Sequence, residues 1–163
     1  MAGGIQKTSG AKWVIVLRIV GGAPLLLFGV MHIAGMMPMK PLIEAAGMPM
    51  PDVMAIVAPL MQILGGALLV SGAFTRLGGL LGLATMFGAI YTHIKIPNDQ
   101  WPDPNNAGQV MEEPVFMLAI AGAIVLCSLV VLFVGGGRWS LDHKMTSAGG
   151  GGSTGGNPES LQG

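Results

Sequence analysis

The feature that most constrains this chain is the spacing of its charges. Four stretches, about 13–34, 53–74, 77–96 and 113–135, are apolar almost throughout, and charged residues gather between and beyond them. Arg18 is the one interior charge of the first stretch; the second has none, and Gln62 is its most polar side chain. A bilayer core of about 30 Å needs roughly 20 helical residues at 1.5 Å each. In lipid the backbone must satisfy its own hydrogen bonds, in a helix or a closed barrel. Barrel strands alternate apolar and polar residues, and these stretches do not. The expectation is an all-α membrane protein, an antiparallel four-transmembrane-helix bundle. With 52% apolar and only 10% charged residues in 163, the chain has too little polar surface to cover four such helices in water.

The first stretch is longer than the core of a signal peptide, is interrupted by Arg18 and is followed by no clear Ala-x-Ala site, so it is expected to remain as a helix. Four spans put both termini on one side. That side receives Lys7, Lys12, Arg18, Arg76, Arg138 and Lys144, against Lys40 and Lys95 on the other, while Glu44, Asp52, Asp99, Asp103, Glu112 and Glu113 fall in the opposite loops. By the positive-inside rule the termini are expected in the cytoplasm, the membrane being the bacterial inner membrane. The chain then divides into a cytoplasmic segment 1–12, a membrane domain 13–142 and a glycine- and serine-rich flexible tail 143–163. Spans two and three are joined at Thr75 and Arg76. A short helix is expected over 41–46, and the proline-bearing loop 96–113 should be irregular and lie on the membrane surface.

A net charge of zero gives no basic footprint for nucleic acid. The lone Cys127 excludes a disulfide framework or a multi-cysteine metal site within one copy of the chain, and it reads as inert packing. The expected neighbours are membrane lipids and a partner protein or larger complex.

Helical spacing places the polar residues. Arg18, Gly22, Leu25, Gly29 and His32 share one face of span one; Ala58, Gln62, Gly65, Leu69 and Gly72 share one face of span two; Gly79, Gly82, Met86, Ala89 and His93 share one face of span three. Small residues let helices approach closely in lipid, so these faces should point inward. Pro24 and Pro59 should bend their helices. His32 and His93 lie near the outer helix ends, Glu112 and Glu113 open span four at that level, and Gln62 lies about 14 Å down by helical rise. Together these five residues would form an outward-facing polar pocket, with Met31, Met36, Met86 and Tyr91 on its walls. Polar groups within spans tend to mark functional sites. Quinone is the leading ligand, because its carbonyls need hydrogen-bond donors or a nearby acid or base and histidine supplies either. In this reading the histidines donate, Gln62 orients the head group and Glu113 accepts a proton. Two alternatives remain open: a haem held by His32 and His93, or copper bound by His32 with the methionines at 36, 37, 39, 48 and 50. A third is that the same groups simply meet water and headgroups. The sequence carries no flavin, haem, iron–sulfur or other metal-binding motif.

Several phrases, read in order, resemble the DoxX family of small four-helix membrane proteins over about residues 13–142. They are LRIVGGAPLLLFGVMHIAG in span one, the hairpin carrying Gly65, Gly66, Leu68, Leu69, Gly72, Thr75 and Arg76, and the closing GRWSLD at 137–142. The resemblance implies a membrane subunit: the family takes its name from one in a thiosulfate:quinone oxidoreductase, and other members look like partners of thiol or oxidative-stress enzymes. It also implies an arginine in helix one, here Arg18, and an acid opening helix four, here Glu112 or Glu113. Where relatives often carry a glutamate before the glycine pair of helix two, this chain has Gln62, which can hydrogen-bond a quinone but cannot relay a proton. Arg18, Arg76, Arg138 and Asp142 are expected to be structural. Arg76 would sit near the tail of helix two, and Asp142 would pair with Arg138 or Arg76 to fix the exit of helix four.

The expected function is therefore the integral-membrane subunit of a redox assembly, not catalytic alone, that meets quinone at an outward-facing pocket. The alternative is a non-catalytic anchor or assembly subunit of a larger complex.

Overall fold

The computed structural model describes residues 12–103, 114–137, 140 and 141. Its long elements are α1 (Val14–Ile33), α3 (Pro51–Ser71), α4 (Thr75–Lys95) and α5 (Pro114–Val134), with a short α2 (Lys40–Ala45) between the first two and a 3-10 turn at Asn98–Gln100. All four long helices are long and apolar enough to cross a membrane. They form a ring in which α1 packs on α3 and α5, and α4 packs on the same two helices. Their outward faces carry exposed Val20 and Leu27 on α1, Ile56 and Leu60 on α3, Leu80 and Phe87 on α4, and Leu126 and Phe133 on α5. Apolar surface of this extent on every long helix is suited to lipid, and the chain is an integral membrane protein. Pro24 and Pro59 both lie inside unbroken helices.

The inward faces follow the spacing of the small residues. Arg18, Gly22, Leu25 and Gly29 are buried on α1, Gln62, Gly65 and Leu69 on α3, and Gly79, Gly82 and Met86 on α4. At the α1–α3 crossing a methyl group on Gly66 would stand 2.5 Å from the Leu26 nitrogen and 2.7 Å from the Gly22 carbonyl oxygen. At the α4–α5 crossing a methyl group on Gly79 would stand 2.9 Å from the Ser128 carbonyl oxygen. The backbones touch, which is how helices gain packing energy where no hydrophobic difference separates lipid from side chain. Cys127 is buried against Gly21, as expected for packing.

Arg18 closes one end of the bundle. It is 2% exposed. Its Nε donates to Leu69 O at 2.8 Å, one Nη to Val70 O at 2.8 Å and the other to Gly136 O at 3.2 Å. Leu69 and Val70 belong to the last turn of α3, whose carbonyls have no helical partner, and Gly136 follows the end of α5. The cation thus sits at the negative end of the α3 dipole and just past that of α5. Gly72, with φ +75°, begins the reversal into α4, and a methyl group there would collide with the guanidinium.

That turn corrects one expectation. The connection between α3 and α4 is Gly72, Ala73 and Phe74, the first and last in the left-handed region. Thr75 and Arg76 belong instead to the first turn of α4. The positive-φ glycine ends α3 three residues before the span read from hydropathy, so Arg76 lies in the opening turn of α4 rather than in the connection. Arg138 and Asp142 lie outside the described residues.

If the close α1–α3 approach sets stability, Gly66→Ala lowers it by about 1–3 kcal/mol, the usual range for overpacking. Gly122→Ala on α5, where a methyl group meets nothing within 4 Å, leaves it unchanged. Thermal unfolding of the two variants in the same detergent checks the contrast; equal effects would show that the crossing tolerates separation.

Candidate functional site

At the end opposite Arg18 the bundle holds a cavity of about 310 Å³, at the low end of volumes that accept small ligands. His32 comes from the last turn of α1, Gln62 from the middle of α3 and His93 from the last turn of α4; all three line it. The expected pocket residues within the described chain are therefore brought together. Glu112 and Glu113 lie outside the described residues.

The apolar walls differ from expectation. Met86 lines the cavity, but Met31, Met36 and Tyr91 do not. Met36 lies past the end of α1 and is exposed, and Tyr91 faces outward with the Lys95 ammonium 5.6 Å from its ring centroid. Of the methionines weighed as copper ligands, Met37, Met39 and Met48 line the cavity, while Met36 and Met50 are exposed. The walls also hold Met54, Met61 and Met117. Unbranched thioether chains adapt to irregular ligands. Among the described residues no group of three or more His, Cys, Asp or Glu gathers to hold a metal ion.

The polar atoms have a definite polarity. His32 Nδ1 contacts Phe28 O at 2.5 Å, and His93 Nδ1 contacts Ala89 O at 2.8 Å, each one turn back along its own helix. A carbonyl only accepts, so in both rings Nδ1 carries the proton, and in the neutral ring Nε2 is an acceptor. Thr85 donates its hydroxyl to Leu81 O at 3.0 Å, Thr92 to Ala89 O at 2.6 Å. Gln62 is 3% exposed and its Oε1 has no hydrogen-bond partner. An unpaired buried oxygen costs about 1–3 kcal/mol, so this glutamine is kept against stability.

The DoxX family model matches residues 13–94. The chain belongs to the DoxX family. The match runs from the start of α1 almost to the end of α4 and so takes in Arg18, Gln62, His32 and His93; α5 and the closing motif lie beyond it. No curated protein and no solved structure matches this DoxX protein.

Two parts of the DoxX cavity were not foreseen. Trp101, placed by sequence in an irregular surface loop, is 3% exposed. Its ring lies 4.2 Å from that of His93, tilted by 41°, and its Nε1–H donates to Ile96 O at 3.2 Å. It packs with Ile96, Ala46, Leu42 and Met48, so the segment after α4 and the α2 region cover the cavity together. The cue was a large apolar ring in the stretch 97–106, which otherwise holds only proline and polar residues. The second is the attachment of α2. Lys40 Nζ lies 2.7 Å from Asp52 Oδ1, at the start of α3, and 3.7 Å from Glu44 Oε1. Its hydrogen bond to Asp52 and the charges of Asp52 and then Glu44 raise the Lys40 pKa above its ordinary value. A raised folded pKa means that the contribution is complete below the ordinary lysine range and is lost only as pH climbs through the folded value. The cover is tied down at neutral pH, by a solvated pair of small energy.

Removing the orphan oxygen should help the ligand-free protein. Gln62→Leu is expected to raise stability by about 1 kcal/mol or more, read as a higher melting temperature in detergent. A fall would mean that the amide is fully paired without ligand.

Proposed function

We propose that this DoxX protein is the membrane subunit of a redox assembly and that its cavity receives a quinone head group. The observation that carries this reading is the buried, unpartnered Gln62 amide in the wall of a methionine-lined cavity. A quinone head is a flat apolar ring with polar oxygens at two edges. The His93–Trp101 ring pair offers it a flat neighbour, and Gln62 offers its edge an amide that can donate through Nε2 and accept through Oε1. Gln62 carries no ionisable proton, so its part is to orient the ring. Electrons reach the head group through a partner protein.

In this proposal both termini lie on the cytoplasmic side of a bacterial inner membrane, and the cavity opens toward the outer face. Lys12, Arg18 and Arg76 at the opposite end support this orientation.

Purified in mild detergent, the chain should retain or take up a short-chain benzoquinone or its hydroquinone. His93→Ala and the cavity-filling Ala58→Phe should each weaken that binding at least severalfold with the melting transition intact. No uptake of either form by the unaltered protein overturns the proposal.

Orientation is tested separately. Cys127 is buried, so Asp99→Cys supplies an exposed thiol on the cavity side. In intact cells a membrane-impermeant maleimide should label it from outside; labelling only after lysis would invert the topology.

A further inference from the structure

We infer that the cavity prefers the reduced, hydroquinone form of its ligand, because its described side-chain donors are mostly taken up by backbone carbonyls and the surplus facing a ligand is of acceptors. The inference rests on the quinone reading above and adds which redox state the site selects.

The polar groups around the cavity divide sharply. The Nδ1–H groups of His32 and His93, the hydroxyl protons of Thr85 and Thr92 and the indole N–H of Trp101 all go to backbone carbonyls, those of Phe28, Ala89, Leu81, Ala89 and Ile96 respectively. A threonine oxygen that has given its proton away still has lone pairs, and the neutral His32 ring protonated at Nδ1 has one at Nε2. Gln62 Oε1 adds a buried acceptor without a partner. Among His32, Thr85, Thr92, Trp101 and Gln62, the donor that remains is the Gln62 Nε2 amide.

A quinone presents two carbonyl oxygens, which are acceptors. It can meet Gln62 Nε2, but it leaves Gln62 Oε1 orphaned and sets carbonyl oxygen against acceptors elsewhere. A hydroquinone has the same ring and nearly the same shape. Each of its hydroxyls donates one hydrogen bond and accepts another. One can satisfy Gln62 Oε1 while still accepting from Nε2, and the other can donate to His32 or to a threonine acceptor. Satisfying one buried orphan corresponds to about tenfold in affinity. The preference concerns binding and involves no electron transfer of its own. Its consequence for a bound couple is thermodynamic: tighter binding of the reduced form raises the midpoint potential, by about 30 mV for each tenfold in a two-electron couple.

Three ligands of one shape separate the possibilities: a short-chain benzoquinone, its hydroquinone kept reduced under anaerobic conditions, and the hydroquinone dimethyl ether, which has lost both donors. Each is titrated by calorimetry into the full-length protein in nanodiscs at pH 8, above the ordinary histidine range. The hydroquinone should bind at least tenfold more tightly than the quinone, with the ether no better than the quinone. Gln62→Leu should remove most of that advantage. Equal binding of quinone and hydroquinone, or an ether as tight as the hydroquinone, overturns the inference and leaves the cavity reading in place. Failure of all three to bind overturns both. The comparison of ligands on the unaltered protein stands even if Gln62→Leu does not fold.

Discussion

An arginine within a membrane helix is stable only where acceptors meet its guanidinium, and the closed end of this bundle is arranged around that need. Arg18 reaches two carbonyls in the last turn of α3 and one just beyond α5. Helix ends are the natural source of such acceptors, because the last carbonyls of a helix have no partner of their own. One side chain thus satisfies three backbone groups from two other elements and places a cation where both helix dipoles are negative. It also fixes what may stand beside it. Gly72 must lack a Cβ twice over, for its left-handed backbone and because a methyl group would enter the guanidinium.

With that end closed by hydrogen bonds and the helix crossings closed by glycines, the space in the bundle is left at the other end. There the inward positions carry methionine, histidine and glutamine in place of glycine, and the resulting cavity is covered by α2 and Trp101. The two ends treat polar groups in opposite ways. The Arg18 guanidinium finds its acceptors inside the protein. Around Gln62 an acceptor is left without a donor. A folded protein keeps such an atom at a cost of order 1 kcal/mol, and a ligand that donates a hydrogen bond recovers it.

The candidate site was partly legible in the sequence. His32, Gln62 and His93 stand out because polar side chains in apolar spans are few, and helical phase alone put them on inward faces. The other contributions were not legible. Trp101 looks like a loop residue because the contact that buries it on the α2 region joins segments distant in the chain. The donor or acceptor role of each histidine was invisible for a different reason: it depends on whether Nδ1 finds the carbonyl one turn back, a rotamer choice that spacing does not set. Likewise Met31 and Tyr91 have the residue type for the wall but the wrong helical phase once the bundle is closed.

Four apolar lengths, their count and their lack of apolar–polar alternation by themselves determined that the chain is a four-span all-α membrane protein, since lipid leaves the backbone only a helix or a closed barrel and barrel strands alternate. The glycine stripes determined which faces pack, and the DoxX motifs determined the family. Tertiary structure decided where Arg18 ends its reach, that the α3–α4 turn is Gly72, Ala73 and Phe74, and which side chains enclose the cavity. Those outcomes depend on distances between elements far apart in sequence, and a local pattern fixes a face without fixing the neighbour it meets.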